Sequence, residues 1–143
     1  MTLPMPYPDW PAYKRILADR HGFFMRQDPI QTWWTWRRHR IHLDHHIPKT
    51  QPLGTLILVH GAGGHGRLLA PIGQMAADLG WKVLAPDLPG YGLTQPQPGW
   101  RADYAAWSEC IADLAAEQDG PIVLMGLSLG GMTALREIGR AHV

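Results

Sequence analysis

Apolar positions along the chain follow two different patterns. Three short runs are almost continuously apolar, at residues 56–59, 81–85 and 122–125, as expected for strands that are covered on both faces. Between these runs and after the last one, apolar residues recur every three or four positions, which is typical of helices with one buried face. The resulting order of strand, helix, strand, helix, strand and helix predicts an α/β fold with a mostly parallel sheet and helices on both faces.

The helices between the strands have recognisable ends. The first begins near residue 68 and ends at Gly80, and its helical spacing is carried by Leu68, Ile72, Met75 and Leu79. A second helix ends at Asp119-Gly120, and one of its faces is formed by Tyr104, Trp107, Ile111, Leu114 and Gln118. A last helical pattern runs from about residue 130 to the end of the chain.

The first third of the chain is less regular. A short helix is predicted over residues 10–20, ended by Gly22, whereas the aromatic-rich residues 23–35 fit neither pattern. Residues 39–47 alternate between mainly apolar and polar positions, which predicts a strand with Ile41, Leu43 and Ile47 facing inward.

Histidines and tryptophans are concentrated in and just before that strand. The histidines are His39, His42, His45 and His46. Because the alternation divides them between the two faces and no cysteine accompanies them, we interpret them as part of a solvated strand and predict no metal site. The tryptophans and arginines of residues 33–38 indicate packing and surface cation–π contacts rather than a platform for nucleic acid.

Length and composition give no indication of nucleic-acid or membrane binding, and they do not identify a function. The 143 residues suffice for one globular domain, and a net charge of +1 gives no electrostatic indication of nucleic acid or an anionic membrane. The single cysteine, Cys110, lies in a helical pattern and is predicted to be a packing residue. With no signal peptide and no apolar run of membrane-spanning length, we expect a cytoplasmic protein; the oligomeric state stays open.

The third apolar run leads directly into Gly126-Leu127-Ser128-Leu129-Gly130. This G-x-S-x-G spacing fits a nucleophile elbow, a strained turn between a strand and a helix that lifts a serine hydroxyl above the sheet. Glycine is suited to the positions two before and two after the serine, because side chains there would crowd the neighbouring strand and helix.

The glycine-rich loop after the first apolar run has two interpretations. Gly61-x-Gly63-x-x-Gly66 follows a strand and opens a helix, and Asp87 ends the next strand, which together match a dinucleotide-binding fingerprint. The other interpretation is an oxyanion loop that begins with His60-Gly61-Ala62. Dinucleotide binding gives no reason for a serine-centred elbow two strands later, so the sequence favours the oxyanion loop and retains the dinucleotide-binding domain as the alternative.

Three segments together resemble the α/β-hydrolase fold family, in particular members with a His-Gly loop after the third strand. They are residues 60–64, the Asp-Leu-Pro-Gly-Tyr-Gly loop at residues 87–92, and the elbow at residues 126–131. They occur in the family's order, each at the end of a predicted strand. The resemblance implies that residues 33–143 form the N-terminal part of an α/β-hydrolase domain, preceded by an N-terminal extension over residues 1–32.

The resemblance also implies the roles of individual residues. Ser128 would be the nucleophile that attacks an ester, amide or related bond of a small molecule, without a cofactor. The oxyanion hole would be formed by the backbone N–H groups of Leu129 and Ala62. The motif would be supported by His60, Gly61, Gly63, Gly126 and Gly130.

The acid and the histidine of a catalytic triad follow the serine in this fold. The chain ends at Val143, 15 residues after Ser128, and neither Glu137 nor His142 is well placed for a triad. We therefore expect the N-terminal half of a hydrolase, truncated after the helix that follows the elbow, with residues 122–125 as a bare sheet edge. A non-catalytic remnant of the fold is the second alternative. Asp87 is interpreted as a turn acid that binds nearby amides, and His60 and His65 as loop-packing residues.

Overall fold

A computed structural model of the chain describes residues 7–141, and side chains are described for residues 7–136. The elements in chain order are helix α1 (Trp10–His21), strands β1 (Ile30–Trp36), β2 (His39–His46) and β3 (Thr55–Val59), a 3₁₀ turn (Gly66–Leu69), helix α2 (Ala70–Asp78), strand β4 (Lys82–Pro86), helix α3 (Tyr104–Ala116), strand β5 (Ile122–Gly126) and helix α4 (Leu129–Ala141). None of the helices in the described range is long and apolar enough to cross a membrane.

The strands described form one mixed sheet in the order β1-β2-β4-β3-β5. Strands β3, β4 and β5 are mutually parallel, whereas β2 pairs antiparallel with both β1 and β4. Helices α3 and α4 cover one face of the sheet, and α2 covers the other. The predicted α/β fold with helices on both faces is therefore confirmed.

The sheet divides the apolar core into two layers. On the side of α3 and α4, the side chains of Ile57, Val59 and Leu84 pack against Trp107 and Ile111. On the other side, Leu56, Leu58 and Val83 pack against Leu69 and Ala76 of the 3₁₀ turn and α2. Because alternate residues of β3 and β4 point into different layers and both layers are buried, these strands are apolar throughout, as their continuous apolar runs predicted.

Strand β5 lies at the edge of the described sheet and pairs only with β3. The side chains of Ile122 and Leu124 pack against the core, whereas Val123 and Met125 on the opposite face are exposed. Within the part of the chain that the structure describes, residues 122–125 thus lie at the sheet edge, as predicted. Such an edge presents unpaired backbone N–H and C=O groups to solvent.

The N-terminal part of the described chain packs against the 3₁₀ turn and the start of α2, and Tyr7 also contacts β2. Helix α1 covers the residues predicted from the sequence, and Gly22 ends it in the left-handed conformation with a φ of 62°. Trp10 and Leu17 are its buried residues. The division of the chain at residue 32 stays a prediction. Strand β1, in the segment that fitted neither pattern, forms a hairpin with β2.

The strand predicted over residues 39–47 is present as β2, but the prediction that its polar face is solvated is wrong. Strand β2 lies inside the sheet between β1 and β4, and it carries buried side chains on both of its faces. Ile41 and Leu43 face the core as predicted, but the side chains of His42, Asp44 and His46 are buried on the opposite face. Ile47, which was predicted to face inward, lies just past the strand and is exposed.

The tryptophans and arginines of residues 33–38 pack as predicted. Trp36 is buried, and the guanidinium of Arg37 lies 4.4 Å from the centre of its ring. Cys110 is also buried in the core, where burial raises the pKa of its thiol to about 12, as expected for a packing residue.

Helix α2 has an unexpected orientation. The apolar residues that predicted the helix, Leu68, Ile72, Met75 and Leu79, are all exposed. The residues that α2 buries are small or polar, namely Ala70, Gly73, Gln74 and Ala76. Gly73 lies so close to the imidazole of His46 that a side chain at this position would collide with the ring. Small residues therefore let α2 approach β2, and its larger apolar side chains face away from the sheet.

Burial of His46 makes stability dependent on pH. Burial lowers the pKa of His46 to about 4, against the opposing effect of Asp44. Between pH 6.5 and 4 the unfolded chain therefore binds a proton that the folded chain does not, so stability is full above pH 6.5 and falls as the pH falls towards 4. We expect His46 alone to contribute roughly 3 kcal/mol to this loss. Urea unfolding at pH 7.5, 6 and 5 measures it, and an equally steep pH dependence in His46→Gln would contradict the assignment.

Candidate active site

The turn between β5 and α4 has the conformation of a nucleophile elbow. Strand β5 ends at Gly126, helix α4 begins at Leu129, and Ser128 between them is exposed with a φ of 55°. A non-glycine residue with this φ is strained, and such strain persists only where the surrounding structure enforces it. The turn therefore holds the serine side chain outward at the end of the strand.

The two outer glycines of the motif leave no room for side chains. A Cβ atom on Gly126 would collide with the backbone of Gly130 and Gly131 in the first turn of α4. A Cβ atom on Gly130 would collide with the carbonyl oxygens of Val59 and His60 at the end of β3. These backbone atoms belong to the strand and the helix themselves, so neither contact can be relieved by rotating a side chain. The sequence argument for glycine at both positions is confirmed.

The loop at residues 60–66, here called the glycine loop, lies directly beside the elbow. Strands β3 and β5 pair in register with Val59 opposite Gly126, so the glycine loop and the elbow leave the sheet at the same level. A Cβ atom on Gly61 would lie 3.1 Å from the carbonyl oxygen of Leu127 and 3.4 Å from Cβ of Ser128. Gly63 has a φ of 74°, which favours glycine at that position. The structure thus brings together the glycine loop and the serine that the sequence singled out.

Two backbone N–H groups near the serine are candidates for anion binding. Leu129 is the first residue of α4, and the first N–H groups of a helix have no acceptor within the helix. Ala62 lies in the exposed part of the glycine loop, one residue after Gly61. Its peptide plane is fixed from the other side, because the carbonyl oxygen of Gly61 accepts hydrogen bonds from His60 Nδ1 at 2.8 Å and from the Gly64 amide at 3.1 Å.

His60 connects the glycine loop to the loop after β4. Its Nε2 accepts a hydrogen bond from the Leu88 amide at 3.0 Å, while Nδ1–H donates to the carbonyl oxygen of Gly61. These partners require the neutral Nδ1–H tautomer. Burial lowers the pKa of His60, which also favours the neutral ring. His60 is therefore a buried packing residue, as the sequence analysis interpreted it, with its imidazole edge-on to the ring of Tyr91.

Asp87 is completely buried at the end of β4. Its carboxylate accepts hydrogen bonds from the amides of Gly66 at 2.6 Å and Leu93 at 2.9 Å, from the hydroxyl of Tyr7 and from His42 Nδ1 at 3.2 Å. Burial alone would raise the pKa of Asp87, but the hydrogen bonds, led by those of His42 and Tyr7, hold this pKa below its ordinary value. The interpretation of Asp87 as an acid that binds loop amides is confirmed.

The same contacts leave the dinucleotide alternative without support. A ribose-binding acid must reach the ligand, whereas the Asp87 side chain is enclosed by protein. The amide of Gly66, the last glycine of the fingerprint, already donates to Asp87. In a dinucleotide-binding domain the glycine-rich turn leads directly into a helix. Here a 3₁₀ turn separates the glycine loop from α2.

Within the described side chains, the Ser128 hydroxyl has no hydrogen bond to a histidine or a carboxylate. His60 faces the Leu88 amide, and the ring of His65 stacks on Tyr7 with a centroid distance of 4.0 Å. His142 and the side chain of Glu137 lie outside the described residues. No group of three or more His, Cys, Asp or Glu side chains in the described part of the chain could hold a metal ion.

Comparison with known proteins identifies the family. A model of the alpha/beta hydrolase family matches residues 56–143, which include the glycine loop, the loop after β4 and the elbow. The chain belongs to the alpha/beta hydrolase family. The resemblance and the fold class predicted from the sequence, a partial α/β-hydrolase fold, are thereby confirmed.

Two curated relatives of this alpha/beta hydrolase family chain are Lipase LipV from Mycobacterium tuberculosis and Phospholipase YtpA from Bacillus subtilis. They are 32% and 30% identical over 95 and 106 residues, which cover 65% and 71% of this chain. A solved structure of a putative lipase from Acinetobacter baumannii has the same fold, with a TM-score of 0.71 and 22% identity over 98% of this chain. The matches cover 35% and 36% of the two relatives and 44% of the solved chain, so the present chain spans less than half of each.

Sequence reasoning missed the residues that support the glycine loop from behind. Tyr7 and His42 both bind Asp87, and Arg67 binds Asp44 from the 3₁₀ turn with two hydrogen bonds of 2.6 and 2.9 Å. No local pattern signals Tyr7, which lies 80 residues from Asp87. The polar residues that alternate with apolar ones in residues 39–47 could have indicated these contacts. Polar side chains in a buried strand are expected to have hydrogen-bond or charged partners elsewhere in the chain.

Proposed function

We propose that the chain carries the nucleophile and the oxyanion-binding backbone of a serine hydrolase that acts on an ester, amide or related bond of a small molecule. The observation that carries the proposal is the strained turn at Ser128 with the backbone of Gly61 packed against it. In other members of this fold such a turn presents a nucleophile. Membership of the family supports the same role.

In the proposed reaction, Ser128 Oγ attacks the carbonyl carbon and its proton passes to a general base. The carbonyl oxygen gains negative charge and is stabilised by the N–H groups of Leu129 and Ala62. The tetrahedral intermediate collapses, the leaving group departs with a proton, and water then releases the acyl group. Removing one donor of an oxyanion hole costs about 3–4 kcal/mol of transition-state stabilisation. Among the side chains that the structure describes, no histidine or carboxylate contacts the Ser128 hydroxyl to serve as this base.

The residues around Ser128 and Ala62 shape the site. The glycine loop and the elbow are shaped by residues that do not touch the substrate, namely His60, Gly61, Gly63, Gly126 and Gly130. We assign no cofactor and no metal. We also assign no nucleic-acid partner, because a net charge of +1 gives little electrostatic attraction to phosphate groups. A cytoplasmic location agrees with a lone cysteine that is buried at Cys110.

A fluorophosphonate probe tests the nucleophile, because it reacts covalently with an activated serine. Because the described part of the chain holds the oxyanion-binding backbone but no base against Ser128, we expect slow labelling of the folded chain, and we expect Ser128→Ala to lose it completely. The chain has one other serine, Ser108, which is buried in α3, so Ser108→Ala is a matched control that retains labelling. Absence of labelling in the folded wild-type chain would favour the non-catalytic alternative. Labelling that survives in Ser128→Ala would assign the nucleophile elsewhere.

A further inference from the structure

The residues at positions 7–10, here called the N-terminal segment, pack against the back of the glycine loop. Tyr7 and Trp10 are both buried, with exposed fractions of 6% and 2%. The ring of Tyr7 stacks on the imidazole of His65 with a centroid distance of 4.0 Å and an interplanar angle of 9°. The guanidinium of Arg67, just after the loop, lies 5.5 Å from the ring centre of Tyr7 and 5.0 Å from that of Trp10.

The hydroxyl of Tyr7 joins this segment to the end of the glycine loop. It donates a hydrogen bond to Oδ2 of Asp87, whose Oδ1 accepts the Gly66 amide at 2.6 Å. One buried carboxylate therefore holds both the N-terminal segment and the last residue of the loop. Burial, together with the nearby charge of Asp87, raises the pKa of Tyr7 above its ordinary value, so the hydroxyl remains a proton donor.

A second route leads from Asp87 to the front of the glycine loop. The residue after Asp87 is Leu88, whose amide donates to Nε2 of His60 at 3.0 Å. His60 Nδ1 in turn donates to the carbonyl oxygen of Gly61 at 2.8 Å. Because the peptide bond is planar, holding the carbonyl of Gly61 also sets the direction of the Ala62 N–H group. The last residue of the loop is thus held by the Asp87 carboxylate, and its first residues are held through the amide of the residue that follows Asp87.

We propose that Tyr7 is a positioning residue that orders the glycine loop and so aligns the Ala62 N–H group beside Ser128. Its ring supports the loop through His65, and its hydroxyl keeps the Asp87 carboxylate in place to bind Gly66. The N-terminal segment is then part of the architecture of the site although it touches neither Ser128 nor substrate. The consequence for chemistry rests on the proposed function, whereas the ordering of the loop does not.

The ordering is tested by amide hydrogen exchange of residues 60–66 in the full chain. Tyr7→Phe keeps the stacked ring and removes only the hydroxyl, and we expect exchange at Gly66 to accelerate by roughly tenfold or more. Tyr13→Phe is the matched control, because it removes a hydroxyl that donates to the carbonyl oxygen of Leu68 and leaves Asp87 untouched. Equal exchange at Gly66 in wild type and Tyr7→Phe would overturn the proposal, as would the same acceleration in Tyr13→Phe.

The consequence for the site is tested with the fluorophosphonate probe. In Tyr7→Phe we expect the labelling rate at saturating probe to fall while the half-saturating probe concentration is unchanged, which general loss of folding would not produce. An unchanged maximal rate would overturn the positioning role. If wild type is folded but not labelled, the proposed function fails, whereas faster exchange at Gly66 in Tyr7→Phe would still establish that Tyr7 orders the loop.

Discussion

The Gly130→Ala variant is expected to lose about 3 kcal/mol or more of its free energy of unfolding. The added methyl group would collide with the carbonyl oxygens of Val59 and His60, which are backbone atoms at the end of a fully buried strand. The collision can be relieved only by moving α4 away from β3 and disrupting the turn at Ser128. Urea unfolding followed by circular dichroism measures the loss.

Gly131→Ala is the control for this variant. Gly131 is the next residue of the same helix, and an added Cβ atom would lie 3.3 Å from the carbonyl oxygen of Gly126, a much smaller overlap than that of a Cβ atom on Gly130. Alanine also favours helix by about 1 kcal/mol relative to glycine. We therefore expect Gly131→Ala to be close to wild type in stability. Similar stability of the two variants would show that close approach to β3 is not what requires glycine at position 130.

Loss of the Arg67 guanidinium is the second change with a large expected effect. Arg67 and Asp44 are both buried and form two hydrogen bonds of 2.6 and 2.9 Å. Arg67→Met leaves the Asp44 carboxylate buried without its partner, which typically costs about 3–5 kcal/mol. We expect a decrease of this size in the free energy of unfolding, measured in urea at pH 7.5.

The double variant Arg67→Met with Asp44→Leu separates charge from packing. Replacing both members of a buried ion pair by apolar residues of similar volume is often close to neutral. We expect the double variant to recover most of the stability lost in Arg67→Met, less the contacts of the guanidinium with Tyr7 and Trp10. If the double variant is no more stable than Arg67→Met, the unpaired carboxylate is not the cause of the loss.

The elbow and the parallel strands were predictable because their determinants are local. A continuous apolar run followed by Gly126-x-Ser128-x-Gly130 specifies a buried strand and a sharp turn within ten residues. The order of the three loops then indicated the family. The adjacency of Gly61 and Ser128 required the strand order as well, because 67 residues separate them and only the pairing of β3 with β5 brings them together.

The errors have a common origin in long-range contacts. The alternation in β2 was interpreted as one solvent-exposed face. The structure instead pairs Asp44 with Arg67 and His42 with Asp87, and such partners make the burial of polar side chains possible. In the same way, the helical spacing of apolar residues located α2 correctly but not its buried face. The face that this helix buries depends on the space beside His46, where even a Cβ atom on Gly73 would collide with the imidazole ring.

The in-register pairing of Val59 with Gly126 determines how misalignment of the candidate site can occur. Strands can change register only in whole residues, and one step is about 3.3 Å. Such a step also turns every side chain of the strand to the opposite face of the sheet. The glycine loop and the serine therefore cannot drift apart gradually along the strands: the hydrogen-bonded ladder either holds them at the same level or displaces the elbow by at least one whole residue.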